Sequence, residues 1–283
     1  MNAGTRVTER YVKAGSFRTR YLEAGPADAD VLLLLHDGAW GASSSVTWGA
    51  MIARFADRYR VLAPDLLGYG GTDKAVFLDR SPHSFRIAHL ADFLRAVGVT
   101  SPVHAVGNSF GGAVALRAIA AEESFPLRSV TSIAGSGGPW RTPLAHDLGR
   151  WDGTREDLAR VVAYLVDDFP GLESHISERL RWASEPGHVK SVKAPNTKVP
   201  GPVRTSVDDP WPQQLEGTEV PILLVRCARD ILLEPQWADN LRAAVPEATI
   251  VLIDDKHSPN IDRPDELYPI LQGFLTKVGS RKR

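Results

Sequence analysis

Ser109 stands at the centre of Gly107-Asn108-Ser109-Phe110-Gly111-Gly112, between a short apolar run, Val103 to Val106, and a run of mostly small residues from Ala113 to Ala120. Strand, G-x-S-x-G, helix is the context of a nucleophile elbow. The reason is steric. A serine on so tight a turn holds a strained backbone, so the positions two residues to either side must be nearly free of side chain. Gly107 and Gly111 meet that need. The turn lifts the hydroxyl above the sheet edge at a helix N-terminus, where free N–H groups favour developing negative charge. A serine hydroxyl is a poor nucleophile until a base removes its proton. The chemistry therefore requires a histidine that is neutral at pH 7 and a carboxylate that fixes its tautomer. Asp230 and His257 each follow a later apolar run, and Ser109, Asp230 and His257 are the catalytic candidates.

Asp254 and Asp255 compete with Asp230 but lie too close in sequence to His257 to reach its far nitrogen easily, and we expect them solvated in the loop. His83, His89, His104, His146, His175 and His188 read as surface or packed residues. His36 ends a strand beside the loop His36-Asp37-Gly38-Ala39-Trp40-Gly41, where a role in shaping the loop competes with contact to substrate. The backbone N–H groups of Phe110 and Gly38 are the candidate oxyanion hole. Two such donors strengthen as the oxygen becomes negative.

The elements that must position these groups are legible as alternating runs. Thr8 to Val12 and Phe17 to Glu23 read as an antiparallel hairpin. Val31 to Leu35 is uniformly apolar, as a parallel strand buried on both faces requires. A helix over 47–55, a strand over 59–63 and a helix over 84–97 precede the central strand and elbow; a strand over 129–134 follows. From Trp140 to Leu215 no buried-strand run appears. Helices over about 154–166 and 173–184, then a Pro/Gly-rich return arm over 194–212, read as an insertion. Strands over 221–225 and 249–253, with helices over 235–245 and 264–278, complete the pattern, and Pro269 kinks or restarts the last helix. This is an α/β fold with a mostly parallel eight-stranded sheet. It divides into a first core part, 1–139, a helical cap, 140–215, and a second core part, 216–283.

The 283 residues suffice for one large domain, and 43% apolar content excludes disorder. A net charge of −1 argues against nucleic acid or an anionic membrane as partner. A single cysteine, Cys227, excludes an internal disulfide framework and fits a reducing compartment. With no apolar leader at the N-terminus, the expectation is a cytoplasmic protein acting on a small molecule, and a homodimer is compatible with the sequence. There is no H-E-x-x-H and no cysteine cluster, so neither a metal nor a cofactor is expected.

Ser, then acid, then His is the chain order of α/β-hydrolases, and over nearly its full length the chain resembles that superfamily. The turn-rich segment Pro64 to Asp73 looks like the one these proteins carry after their fourth strand. Gly107-Asn108-Ser109-Phe110-Gly111-Gly112 is close to the G-N-S-M-G-G elbow of meta-cleavage-product hydrolases, which cleave a C–C bond in 2-hydroxy-6-oxo-dienoates. The stretch from Arg155 through Ser177-Glu178-Arg179 to His188 is similar to that family's cap. The resemblance implies that a cap arginine holds the substrate carboxylate. Arg179 is the matching position, with Arg181 as rival, and Asn108 and His36 complete the implied substrate-binding set. The chain departs from the family at Asp37 in the H-G-x-G-P-G loop, at Phe110 in place of Met, and at Ser258 where Trp often follows the histidine. A carboxylate at 37 would oppose oxyanion charge unless it points away. Ester or lactone hydrolysis therefore stays open beside C–C cleavage, with a non-catalytic ligand-binding protein as the alternative of another class. Trp140, Trp151, Trp182 and Trp211 would line an apolar pocket or fill the cap's own core.

Overall fold

Five consecutive apolar residues, Val31–Leu35, form β3, buried on both faces at the middle of the sheet. The computed structural model describes residues 6–194 and 209–280. Around β3 the sheet is built from β1 (Thr8–Ala14), β2 (Phe17–Ala24), β4 (Arg60–Pro64), β5 (Val103–Asn108), β6 (Leu127–Ile133), β7 (Ile222–Cys227) and β8 (Thr249–Ile253). The strand order is β1-β2-β4-β3-β5-β6-β7-β8. β1 pairs antiparallel with β2, as does β2 with β4; the remaining ladders are parallel. This is the eight-stranded, mostly parallel sheet expected from the alternating runs.

Helices α1 (Ser44–Phe55), α2 (Ser84–Ala96) and α3 (Phe110–Ala118) connect the first half of the sheet. α1 begins earlier than the apolar pattern suggests, because Ser43 caps it by accepting a bond from the Val46 N–H. Between β6 and β7 the described chain forms α4 (Pro143–Asp147), α5 (Arg155–Ala163), α6 (Leu172–Ala183) and α7 (His188–Lys193). α4 and α7 are too short for periodicity to reveal. Most of the Pro/Gly-rich arm lies outside the described residues. α8 (Trp237–Ala244), α9 (Pro259–Asp262) and α10 (Pro264–Ser280) complete the chain. α10 does not restart at Pro269; the helix runs through it and forgoes the bond to the Asp265 carbonyl. No described helix is long and apolar enough to cross a membrane.

Two apolar clusters hold this arrangement. The larger spans the sheet and its flanking helices, with Leu32 to Leu35, Trp48, Phe55, Phe93 and Trp237 fully buried. The smaller joins Leu158, Val161, Val162 and Ile176 of α5 and α6 to Trp40 and Leu232 from strand-end loops and to Ile261 of α9. The helices of the insertion therefore share their core with the loops that must carry the chemistry.

Candidate active site

Ser109 follows β5 directly, with φ 53° and ψ −116°, a positive-φ conformation that few non-glycine residues adopt. A Cβ on Gly107 would overlap the backbone of Gly111, and one on Gly111 would overlap the Leu35 and His36 carbonyls. Those contacts are why the elbow needs both glycines. The serine is pinned by its own N–H, which donates to the Ile133 carbonyl at 2.7 Å, and by its carbonyl, which accepts from the Ala113 N–H at 2.9 Å.

His257, in the loop after β8, places Nε2 2.7 Å from the Ser109 hydroxyl oxygen. Its Nδ1 lies 2.8 Å from Asp230 Oδ2. Both side chains are 3% exposed, so water does not compete for the contact. The second oxygen of Asp230 accepts from the Leu232 N–H at 2.8 Å, which fixes the carboxylate. Residues 109, 230 and 257, remote in sequence, form one connected chain of hydrogen bonds. Asp254 is exposed and pairs with Arg229, as a solvated loop acid should. Asp255 departs from that expectation. It is fully buried and faces Arg229, Arg263 and Asp262 instead of His257.

Asn108, expected to touch substrate, is buried and turned the other way. Its Nδ2 donates to the carbonyls of His257 and Ile133, and its Oδ1 accepts from the Ser258 hydroxyl. It fastens the histidine loop to the elbow. His36 is likewise buried and outside the cavity wall. Its Nδ1 bonds the Asp37 carbonyl at 2.6 Å, and its Nε2 accepts the Leu66 N–H at 2.8 Å. Burial lowers its pKa and keeps it neutral. It braces the loop and makes no contact across the cavity.

Gly38 and Phe110 are neighbours across that loop: a Cβ on Gly38 would stand 2.8 Å from the Phe110 Cβ. Asp37 also lines the cavity, and both of its oxygens are engaged by protein donors. Oδ1 accepts from the Ala39 N–H and Oδ2 from the Thr47 hydroxyl. Arg179 completes the pairing, with Nη2 2.8 Å from Asp37 Oδ2 and Nη1 3.2 Å from the Trp40 carbonyl. This corrects the expectation for Arg179. The guanidinium is fully buried, absent from the cavity wall, and already holds a carboxylate belonging to the protein. Arg181 is no substitute: it is exposed and stacks on Trp182. Burial alone would raise the Asp37 carboxyl, but the Arg179 charge and the Thr47 hydroxyl override it and hold the group well below the usual carboxylate range.

Ser109 and His257 open into a cavity of about 310 Å³. Apolar residues including Leu148, Leu165, Val192, Leu232 and Leu233 form much of its wall. Trp40 lines it, whereas Trp140, Trp151, Trp182 and Trp211 do not. The sequence reading also missed His83, Arg86 and Arg141 in the wall. Burial, then the charges of Arg117, Arg86 and Arg141, drive His83 down to about 3, so it stays neutral. No local pattern marks these three residues; only their convergence does. Elsewhere, Asp167, Asp255 and Asp262 bring one ligand atom each within 4.8 Å of one another. Arg229, Lys256 and Arg263 already contribute positive charge to that cluster.

Sheet order, elbow and hydrogen-bonded serine, histidine and aspartate define the class: the chain belongs to the alpha/beta hydrolase family, which it matches over residues 32–270. Among individual relatives, it is 29% identical over 274 residues to a 2-hydroxy-6-oxo-6-(2'-aminophenyl)hexa-2,4-dienoic acid hydrolase of Metapseudomonas resinovorans, covering 95% of this chain and 91% of that protein. Lipase 1 of Psychrobacter immobilis is 26% identical, covering 93% of this chain and 82% of the lipase. Among solved structures, a serine hydrolase involved in carbazole degradation superposes with a TM-score of 0.79 at 27% identity, covering 96% of this chain and 99% of the other.

Proposed function

We propose that this protein is a serine hydrolase that cleaves a C–C bond in a 2-hydroxy-6-oxo-dienoate-like compound. The carrying observation is the unbroken path from Asp230 Oδ2 through both nitrogens of His257 to the Ser109 hydroxyl. The activity of the Metapseudomonas relative, similar over nearly the whole chain, supplies the substrate class. In this reading the substrate enol first becomes a ketone. His257 takes the Ser109 proton as the oxygen attacks the 6-oxo carbonyl, with the new 2-ketone as the electron sink, or it activates a water to do so. The N–H groups of Gly38 and Phe110 hold the oxyanion. As the C–C bond breaks, the carbanion-like fragment takes a proton, and hydrolysis of the acyl group returns the serine. Asp230 keeps the imidazole in the required tautomer and stabilises its charged form. Residues 140–215 act as the cap over the core segments 1–139 and 216–283. The single buried Cys227 supports a reducing compartment, the cytoplasm.

A second reading, a carboxylesterase or lactonase, draws on one observation: the arginine expected to hold the dienoate carboxylate is consumed by Asp37. A coloured dienoate assayed beside a p-nitrophenyl ester separates the two. We expect dienoate turnover to exceed ester turnover in kcat/KM; a far lower dienoate rate favours the esterase. Fluorophosphonate labelling tests hydrolysis itself: wild-type protein is expected to label at Ser109 and Ser109→Ala not at all. An unlabelled wild type would indicate a ligand-binding protein.

A further inference from the structure

Three arginines among the described residues are buried to within 3% of complete: Arg20, Arg86 and Arg179. Two of them have buried counterions. Arg20 pairs with Asp65 at 2.9 Å, and Arg179 with Asp37 at 2.8 Å. Arg86 has no acidic partner among the described residues. Its Nε donates to the Leu67 carbonyl at 2.9 Å and its Nη1 to the Pro82 carbonyl at 2.8 Å. Nη2 makes no such bond among the described residues. The rings of Phe85, Phe110 and Tyr69 lie 4.4 to 5.3 Å from its central carbon. A guanidinium stays charged at any working pH, so burying one without a counterion is costly.

The same cavity wall carries a second unpaired cation. Arg141 lines the cavity and is exposed, and its Nη2 donates to the Ala145 carbonyl at 3.0 Å. It too lacks an acidic partner among the described residues. Arg117, the third cation near His83, is neutralised by a two-bond pairing with Asp209. Neutral His83 feels the charges of all three and adds none of its own. One side of the cavity is therefore positive and uncompensated, while Leu148, Leu165, Leu232 and Leu233 make other parts of its wall apolar.

We infer that Arg86, assisted by Arg141, is the carboxylate-recognising element of the substrate pocket, so that the ligand itself supplies the counterion Arg86 lacks. The inference rests on the hydrolase reading for its substrate class and deepens it. The anion is read from the core helix α2 and the strand-end segment after β6, and the cap arginine is a strut. An aromatic or dienyl carboxylate matches both the charge and the apolar wall. The planar, multi-donor guanidinium suits a carboxylate better than a point charge would.

Calorimetric titration with benzoate and with benzamide, isosteric probes that differ in charge, tests this. Wild-type protein is expected to bind benzoate at least about tenfold more tightly, as one charge-assisted contact provides. Arg86→Gln is expected to bring the two ligands near parity, and Arg86→Lys to restore part of the preference. Equal affinities in the wild type, a full preference in Arg86→Gln, or inorganic phosphate binding as tightly as benzoate would each overturn the assignment. If Arg86→Gln does not fold, Arg141→Gln carries the comparison. It is expected to weaken benzoate several-fold and leave benzamide unchanged, and equal effects on both ligands refute the proposal. Labelling of Ser109 by fluorophosphonate reads the hydrolase proposal separately. Labelling without a benzoate preference sinks the carboxylate site alone, and preference without labelling sinks hydrolysis alone.

Discussion

Replacing Arg179 by methionine isolates the buried pair that joins α6 to the loop after β3. Met keeps most of the side-chain volume and removes the charge, leaving the Asp37 carboxylate buried without its cation. Breaking one side of a fully buried ion pair typically costs about 3 to 5 kcal/mol. Asp37 keeps two donors, the Ala39 N–H and the Thr47 hydroxyl, so the lower figure, about 3 kcal/mol, applies. An unfolding entropy of about 2.1 cal/mol/K per residue gives roughly 0.6 kcal/mol/K for the whole chain, and hence a fall in Tm of about 5 °C. The double variant Asp37→Asn/Arg179→Met removes the stranded charge and is expected to recover more than half of that loss. Thermal and urea unfolding at pH 7 of the wild type, both single variants and the double variant close the cycle. A drop below about 1 °C for Arg179→Met, or no recovery in the double variant, would refute the view that this arginine exists to hold Asp37. The pH dependence has a definite sign. The Asp37 carboxyl is depressed in the fold, so its stabilisation is present above its unfolded pKa of about 4 and is lost as pH falls towards the folded value. Arg179→Met should therefore lose less stability than the wild type on acidification from pH 5 to pH 3.

Gly38→Ala brings a Cβ to 2.8 Å from the Phe110 Cβ and displaces one proposed oxyanion donor. A fall in kcat of about 100-fold with little change in KM is expected from steady-state kinetics; a rise in KM with kcat unchanged would mean the donor serves ground-state binding and not the transition state. Asn108→Ala removes the bonds to the His257 carbonyl and the Ser258 hydroxyl and should lower kcat about tenfold. An unchanged kcat would mean the histidine loop is held by other contacts. Burial, then the neighbouring Asp262, raises the Asp255 carboxyl to about 7. Its stabilisation is complete below about pH 4 and is lost as pH rises through about 7. Asp262→Asn should flatten the decline in Tm between pH 5 and pH 8; an identical slope in both proteins would disprove a role for Asp262 in raising the Asp255 carboxyl.

The division between legible and illegible features follows sequence distance. Val31–Leu35 reads as a doubly buried strand because its own five side chains say so, and the elbow reads from two glycines around a serine. α4 and α7 went unread because five and six residues hold too little periodicity. Asp255 reads as a solvated acid in the sequence because nothing nearby along the chain shows the arginines and the aspartate that enclose it. Asn108 and Arg179 were matched to positions by motif, and a motif says nothing of which way a side chain points.

What the sequence by itself determined is the order of elements, the tight serine turn and the acid and base that follow it, since each depends on neighbours within a few residues. Tertiary structure alone decided how charges were shared. It gave Asp37 to Arg179 across 142 positions of chain and left Arg86, in the cavity wall, without a counterion among the described residues. The physical reason is that pairing between buried charges depends on through-space distance and desolvation, and neither is encoded in the spacing of residues along the chain.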